Sequence, residues 1–430
     1  MKRERIAIIS GLRTPMAKAG GKFQHLQADT LGSRIVRETV MRSPIRFEEF
    51  DEVIVGNVAQ PIHAANIARV IALRAGFPRE TPAFTVHRNC ASGMQSITSA
   101  ADRIRAGEGK IYLCGGVESM SNIPLVYNKK MAALFYNLAK SKTIMDRLHT
   151  LITFRPGFLK PIIGLISGLT DPVSGLMMGS TAEVLARDFH ISREAQDQFS
   201  LESHQKAQLA KESGRFAQEM MPIIYDEQNG SILDYDDGIR DGQSIEALAA
   251  LRPYFDRKNG TVTAGNSSQI TDAAAAVIVM GEKEAKQRGL TPLGYVSDYV
   301  YAGLDPKRMG LGPVISTHKL FKRTKLSMKD IELVEINEAF AAQVLACLQS
   351  FDSNAFSKMH FNESKAVGAI DPEILNVNGG AVALGHPVGM TGTRMVLTLL
   401  HELRNRNLQR GLATLCVGGG QGAALLLEVE

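Results

Sequence analysis

A chain of 430 residues with 44% hydrophobic and 22% charged residues and no low-complexity tract is neither disordered nor fibrous, and it is too long for one small core. Its formal charge of +5 does not mark a nucleic-acid binder: seven basic residues (Lys129, Lys130, Lys140, Lys142, Arg147, Arg155, Lys160) against the single acid Asp146 give 127–169 a net +6 and leave −1 for the rest. Four cysteines, Cys90, Cys114, Cys347 and Cys416, are too few and too scattered for a disulfide framework or a CxxC metal site, and fit reduced thiols in a cytosolic setting.

The start, MKRERIAIISG, runs a short basic stretch straight into a strand-like segment, without the long apolar run and cleavage pattern of an export signal. Further apolar, β-branched runs (FDEVIVGNV, KIYLCGGVES, IELVEIN, ATLCVGGG and ALLLEVE) alternate with stretches of helical period, the pattern of an α/β protein with buried strands. The two ends share a plan. Phe50 to Asn57 and Ile331 to Asn337 each read as a buried strand ending in asparagine. A reactive-looking residue, a long helix and a strand ending in cysteine and glycines follow in each: Cys90 to Cys114-Gly115-Gly116, and His386 to Cys416-Val417-Gly418-Gly419. This points to an ancient duplication.

Between the halves lies a stretch too long for an ordinary connection. It is basic and amphipathic first, then helical from Thr181 to Ser213, then acidic from Asp234 to Asp241. It reads as an inserted loop domain at 127–251, within an N-terminal domain of 1–126 and 252–286 and before a C-terminal domain of 287–430.

Four places carry candidate chemistry. Cys90 stands where a strand gives way to a helix whose Met94, Ile97, Ala101 and Ile104 share a face, so its sulfur is expected near a helix N-terminus that favours a thiolate; a buried structural cysteine is the alternative. Asn337 lies between strand and helix, where a plain N-cap would also suit it. His386 sits in a glycine-dense turn that lets backbone approach a ligand closely, with the next helix expected from Thr391; a lone GHP equally suits a surface or core histidine. Cys416 ends a strand before Val417-Gly418-Gly419-Gly420, whose N–H groups are free to meet a developing oxyanion; a turn alone accounts for one or two of those glycines.

Taken together, the blocks resemble the thiolase family. NCASGM around Cys90, NEAF from Asn337 to Phe340, GGAVALGHPVGMTG around His386 and CVGGGQGAA from Cys416 stand in that family's order, and the opening ISGLRTPMAKAGGKF is similar to its N-terminal signature. The resemblance runs from about residue 5 to 428. It implies a thiolase fold: two duplicated βαβαβαββ halves in a five-layered αβαβα structure with an inserted loop domain. It also implies that Cys90 attacks the 3-keto carbon of a 3-oxoacyl-CoA with His386 as its base, and that Cys416 protonates the departing acetyl-CoA enolate and deprotonates the incoming CoA. One oxyanion site would be His386 with a water held by Asn337, the other the N–H groups of Cys90 and Gly418. Arg240, Phe255, Ala264, Ser268, Met178, Ala339 and Phe340 match the family's CoA-contacting positions. CoA is then a substrate, with no tightly bound cofactor and no metal.

Two departures stand out. Met177-Met178-Gly179 replaces the His-Met-Gly of short-chain members, so the pantetheine end of the site is expected to differ in shape; Asp272-Ala273-Ala274 replaces Asp-Gly-Ala-Ala, read as packing only. Ketoacyl synthases pair the first cysteine with His/His or His/Asn, against which Cys416 argues, and sterol-carrier-type thiolases lack the asparagine of NEAF. The long basic insertion resembles that of the β subunits of fatty-acid oxidation (trifunctional) complexes. That implies thiolytic β-oxidation, a homodimer or dimer of dimers, an α subunit carrying hydratase and dehydrogenase activities, and a cytoplasmic location at the inner membrane surface. A biosynthetic acetoacetyl-CoA thiolase and a catalytically degenerate scaffold or lipid-binding protein are the competing readings.

Within 127–169, Met131, Leu134, Phe135 and Leu138, then Met145, Leu148 and Ile152, recur at helical spacing among the lysines and arginines, the pattern of an interfacial helix. Arg155, Lys160 and Pro161 interrupt its most hydrophobic part, leaving no run of the roughly 20 apolar residues a bilayer span needs. Peripheral contact with an anionic membrane is expected; a lid over the acyl tunnel or a partner-subunit surface is the alternative.

Overall fold

The computed structural model describes residues 4–430. The chain divides into two compact units, one of residues up to Asn122 and from Asp171 to Glu430, the other Ile123–Thr170. Of the expected insertion at 127–251, residues from 171 onward fold with the larger unit.

In the larger unit the main strands are β1 (Ile6–Arg13), β2 (Glu52–Gly56), β3 (Ala83–Val86), β4 (Ile111–Ser119), β5 (Thr271–Gly281), β6 (Gly294–Gly303), β7 (Leu333–Ile336), β8 (Arg410–Val417) and β9 (Gln421–Glu428). They pair in the order β3-β2-β4-β5-β1, then β6-β9-β8-β7, the two sets joined by antiparallel pairing of β1 with β6 at Ile6 to Ile8. In each set the outer pairs are parallel and the inner ones antiparallel. A parallel bridge from Val334 to Leu375 supplies the counterpart of β3 in the second set. The duplication is therefore explicit in the hydrogen bonding.

The helices of this unit that matter here are α1 (Ala28–Met41), α2 (Ile67–Ala75), α3 (Ser92–Ala106), α4 (Met178–Asp188), α5 (Arg193–Glu212), α6 (Gly312–Thr324), α7 (Ala341–Phe351) and α8 (Val388–Asn405). Because side chains alternate along a strand, each sheet feeds two cores. Ala7 and Ile9 of β1 pack with Val53, Leu31 and Ile71 beneath α1 and α2. Ile6 and Ile8 instead join Met94 and Ile97 of α3, Val396 and Leu400 of α8, and Leu415 and Leu425 of the second set. The opposite face of that set, with Leu412 and Leu426, packs on Val314 of α6 and Val344 of α7. Helices, sheet, the α3/α8 pair, sheet and helices make the five layers. The central pair is in backbone contact: a Cβ on Gly93 would stand 2.6 Å from the Thr393 nitrogen, and one on Gly392 2.5 Å from the Met94 nitrogen.

Register corrects one reading of the repeat. Gly56, just before Asn57, pairs with Gly116, whereas Ile336, just before Asn337, pairs with Thr414. The strand position of Cys416 is therefore held in the first half by Glu118, and Cys114 lies four places earlier. Cysteine next to glycine matched by composition; the ladder sets the true alignment. The helix expected from Thr181 to Ser213 is two helices, broken where His190 adopts φ 51° and Ser192 caps α5 by accepting from the Ala195 N–H at 3.1 Å. The helix expected from Thr391 already begins at Val388.

The smaller unit holds two longer helices, Lys129–Lys140 and Ile144–Ile152, a short one at Gly164–Gly168, and a two-residue pairing of Leu125–Val126 with Ile162–Ile163. Asn128 caps the first helix and reaches back to the Phe158 and Lys160 carbonyls at 3.0 and 2.9 Å. Thr143 and Asp146 form a capping box on the second. Ile144, Met145, Leu148, Leu151 and Ile152 line one face of that second helix, and all are exposed. Among the described residues, no helix is long and apolar enough to cross a membrane.

Candidate active site

β3 ends at Val86 and α3 begins at Ser92, so Cys90 stands on a tight turn at the mouth of α3. Its sulfur accepts from its own N–H and from that of Gly418, while burial pushes the thiol above its usual range. His386 occupies the equivalent place before α8, two residues ahead of Val388. The two helix mouths meet, since a Cβ on Gly93 would also be 3.1 Å from the Gly389 carbonyl.

The imidazole of His386 is fixed at one end. Its Nδ1 lies 2.7 Å from Thr391 Oγ1, whose hydroxyl donates to the Pro387 carbonyl at 3.2 Å, so Oγ1 accepts and Nδ1 carries the proton. Nε2 is buried without a partner among the described residues. Burial, aided by the Arg394 guanidinium, lowers the ring to about 4. The backbone N–H of His386 donates to the Gln269 carbonyl at 3.0 Å, and the Gln269 side chain donates to the carbonyl of Gly238 at 2.8 Å.

Cys416, fully buried at the end of β8, has its thiol driven well above the usual range by burial first and by Cys90 next. It packs among Ala339, Phe340 and Ala342, with Met178 and Phe255 against the cluster. Asn337 follows β7 and is no N-cap: α7 starts only at Ala341 behind Phe340. Its backbone donates to the Thr414 carbonyl at 3.1 Å, and both polar atoms of its fully buried amide lack a partner among the described residues. The next residue anchors this corner: the Glu338 carboxylate accepts from Ser203 Oγ, Asn376 Nδ2 and the Val382 N–H at 2.7, 2.8 and 3.1 Å.

Of the positions matched to CoA contacts, Phe255 and Phe340 meet edge to face at 6.1 Å, and Met178 borders Gly418, where a Cβ would lie 3.3 Å from its sulfur. Ser268 donates from its backbone to the Ala339 carbonyl at 2.9 Å. Ala264 is exposed on the Thr263–Asn266 turn, and Arg240 is exposed with its N–H toward His204 Nδ1 at 3.3 Å. At the Asp272-Ala273-Ala274 departure both alanines are fully buried, and the Asp272 carboxylate accepts from the backbone and hydroxyl of Ser121. The roles of Gln269 and Glu338 had no local signal, because each acts on a partner brought close only by the fold; Thr391 lies five residues after His386, inside the block around it.

Residues 6–283 match the thiolase N-terminal domain and residues 290–429 the thiolase C-terminal domain. The chain belongs to the thiolase family. It is 40% identical over 428 residues to the 3-ketoacyl-CoA thiolases of Shewanella pealeana and of Escherichia coli strain 55989, covering 99% of this chain and 97% of each of theirs. Among solved structures it is similar to the Bacillus anthracis acetyl-CoA acetyltransferase (TM-score 0.86, 37% identity, 99% of both chains). It is also similar to human mitochondrial 3-ketoacyl-CoA thiolase in complex with CoA (TM-score 0.85, 35% identity, 100% of this chain and 99% of that one).

Proposed function

We propose that the protein is a 3-ketoacyl-CoA thiolase, cleaving 3-oxoacyl-CoA with CoA into acetyl-CoA and a shortened acyl-CoA. The observation that carries this reading is open polarity at the residues the family's chemistry would use: among the described residues, His386 Nε2 and both amide atoms of Asn337 are buried without a partner. An unsatisfied buried polar group costs about 1–3 kcal/mol, which an inert core would have shed.

The resting pair is neutral, because burial raises the Cys90 thiol and lowers the His386 imidazole. As Cys90 sulfur attacks the 3-keto carbon, its proton passes to His386 Nε2. The carbon–carbon bond breaks, the acyl group stays on Cys90, and the acetyl-CoA enolate takes the proton of Cys416. CoA then enters and gives its thiol proton to the Cys416 thiolate. Its sulfur attacks the acyl carbon, and the released Cys90 thiolate recovers its proton from His386. The N–H groups of Cys90 and Gly418 would hold one oxyanion; His386, with a water on Asn337, would hold the other. CoA would lie along Met178, Phe255, Ala339 and Phe340, reaching Ser268, Ala264 and Arg240.

CoA-dependent loss of enolate absorbance across a chain-length series of 3-oxoacyl-CoA substrates tests the activity. No turnover at any length, or an acyl adduct on a residue other than Cys90, would sink it. Cys416→Ala should still acylate Cys90 yet lose deuterium exchange at the α-carbon of acetyl-CoA; normal exchange would remove Cys416 from the mechanism.

We further propose a homodimer through the edge strand β3, whose four side chains are half-buried, and docking of 123–170 on an anionic membrane. Its exposed apolar helix face and net +6 support the latter, each basic residue near such a surface contributing on the order of 1 kcal/mol. Equal sedimentation with anionic and neutral vesicles would leave the α-subunit surface or the lid instead.

A further inference from the structure

Two side chains of the turn that carries Cys90 leave their own half of the molecule: Arg88 donates from Nη1 to Gln421 Oε1 at 3.1 Å, beyond the glycine run, and Asn89 reaches the run itself. Asn89 sits in the left-handed region at φ 42°, a conformation asparagine tolerates better than most side chains. Its backbone belongs to the turn: its carbonyl accepts from the Ser92 N–H at 3.0 Å and the Ser92 hydroxyl at 2.7 Å. Its side-chain Nδ2 crosses to donate to the Gly418 carbonyl at 2.7 Å.

Gly418 opens a run of three glycines, of which Gly419 and Gly420 adopt φ 85° and 80°. Such a segment has the least intrinsic stiffness a chain can have. Yet the Gly418 N–H is one of two donors that meet at the Cys90 sulfur, the other being that of Cys90 itself. These donors come from separate halves of the duplicated fold, and their convergence depends on the relative position of two turns.

We propose that Asn89 is a positioning residue for acyl transfer: by tying the Gly418 peptide to the nucleophile turn, it holds the Cys90 and Gly418 N–H groups on a single point. The inference rests on the assignment of Cys90 as the nucleophile. As CoA attacks the acyl carbon, charge develops on the thioester oxygen. Donors are effective there only within about 2.7–3.1 Å of that oxygen, and misplacing one forfeits much of the 10²–10³-fold that such a donor is worth. In the free enzyme the same donors favour the Cys90 thiolate, so loosening the tie should also raise the thiol's apparent pKa.

The test separates the side-chain tie from the backbone conformation. Asn89→Gly keeps the left-handed turn at no steric cost and removes the donor; Asn89→Asp keeps the size and turn preference but sets a carboxylate against the Gly418 carbonyl. Both should lower kcat for thiolysis about tenfold or more with KM for CoA little changed, and should shift the pH profile of Cys90 alkylation by iodoacetamide upward. Thermal melts monitor folding, and either variant suffices if the other does not fold. Wild-type kcat and an unshifted alkylation profile in the folded variants would overturn the proposal and leave Asn89 a backbone role only. Cys90→Ser run in parallel keeps the two readings apart: turnover in that variant defeats the nucleophile assignment, whereas its silence beside a normal Asn89→Gly defeats only the tie.

Discussion

Thr391→Val isolates what orients the base. Valine nearly matches threonine in shape, and the site is fully enclosed, so packing is preserved while the acceptor 2.7 Å from His386 Nδ1 disappears. A buried N–H left without its acceptor costs about 1–3 kcal/mol. The ring can avoid that penalty only by moving its proton to Nε2 or by turning, and either removes the lone pair that must accept the Cys90 proton. At about 1.4 kcal/mol per tenfold in rate, kcat should fall by roughly 5- to 150-fold. KM for CoA should barely move, because Thr391 touches no proposed CoA contact. Single-turnover acylation of Cys90, followed by rapid quench, reads the affected step directly. Thr391→Ser keeps the hydroxyl and should restore most of the rate. An acylation rate in Thr391→Val within twofold of the parent would refute the claim that this hydroxyl sets the tautomer.

The depressed pKa of His386 has opposite consequences for rate and stability: the base stays neutral to about 4, so the acid limb of kcat/KM should lie well below pH 6.5. Stability should instead be lost as pH falls from 6.5 toward 4, where the unfolded chain binds a proton the folded one refuses, by up to about 3 kcal/mol; urea melts of the parent and of His386→Asn at pH 5 and 7 measure it. Arg13→Met leaves Glu219 and Asp236 buried without the guanidinium that meets them at 2.7 Å each, and should destabilise by about 3–5 kcal/mol in urea and raise KM for CoA through the loosened 234–241 segment; unchanged urea stability would contradict the pairing's role. Gly380→Ala sets a Cβ 2.3 Å from the Glu338 carboxyl carbon and should destabilise by about 1–3 kcal/mol; an unaltered melting temperature would mean the Glu338 corner yields freely.

What could be read from the sequence was local. A strand handing over to a helix at Cys90, a glycine-dense turn at His386 and the glycine run after Cys416 are each short-range patterns, and the fold brings these turns to adjoining helix mouths and strand ends. The N-cap alternative for Asn337 fails because α7 begins four residues later, a boundary that the helical-looking EAFAAQVLA does not disclose. Matching Cys114 to Cys416 failed for a different reason: composition aligned them, but strand register is a long-range property. Gln269 and Asn89 act on partners that only the fold supplies, across 113 sequence positions for one Gln269 contact and 329 for Asn89, whereas Thr391 acts on His386 only five residues away. The break at His190 does carry a local signal, which the continuous helix expected there overrode, since Ser192 ahead of Arg193 and Glu194 is an N-cap pattern.

The corrected register also explains how a duplicated scaffold yields one reactive centre per chain. Equivalent positions hold Cys90 and His386 before the central helices, Asn57 and Asn337 after the parallel strands, and Glu118 and Cys416 on the neighbouring strands. In the first half the polar pair is closed at all but one atom, Asn57 Oδ1: Asn57 Nδ2 donates to Glu118 at 3.0 Å, and the carboxylate also accepts from the N–H groups of Val58, Ala59 and Gly389 at 3.1, 3.0 and 2.9 Å. Burial pushes that carboxyl up to about 7 while the four donors pull it down. Because Gly389 lies in the first turn of α8, the carboxylate caps the helix that His386 precedes, where negative charge complements the helix dipole. In the second half the corresponding asparagine keeps its amide unpartnered and a thiol replaces the carboxylate. One copy has become the lock on the helix that presents the base, and the other has been left open for substrate, so the two halves contribute unequal parts to a single site.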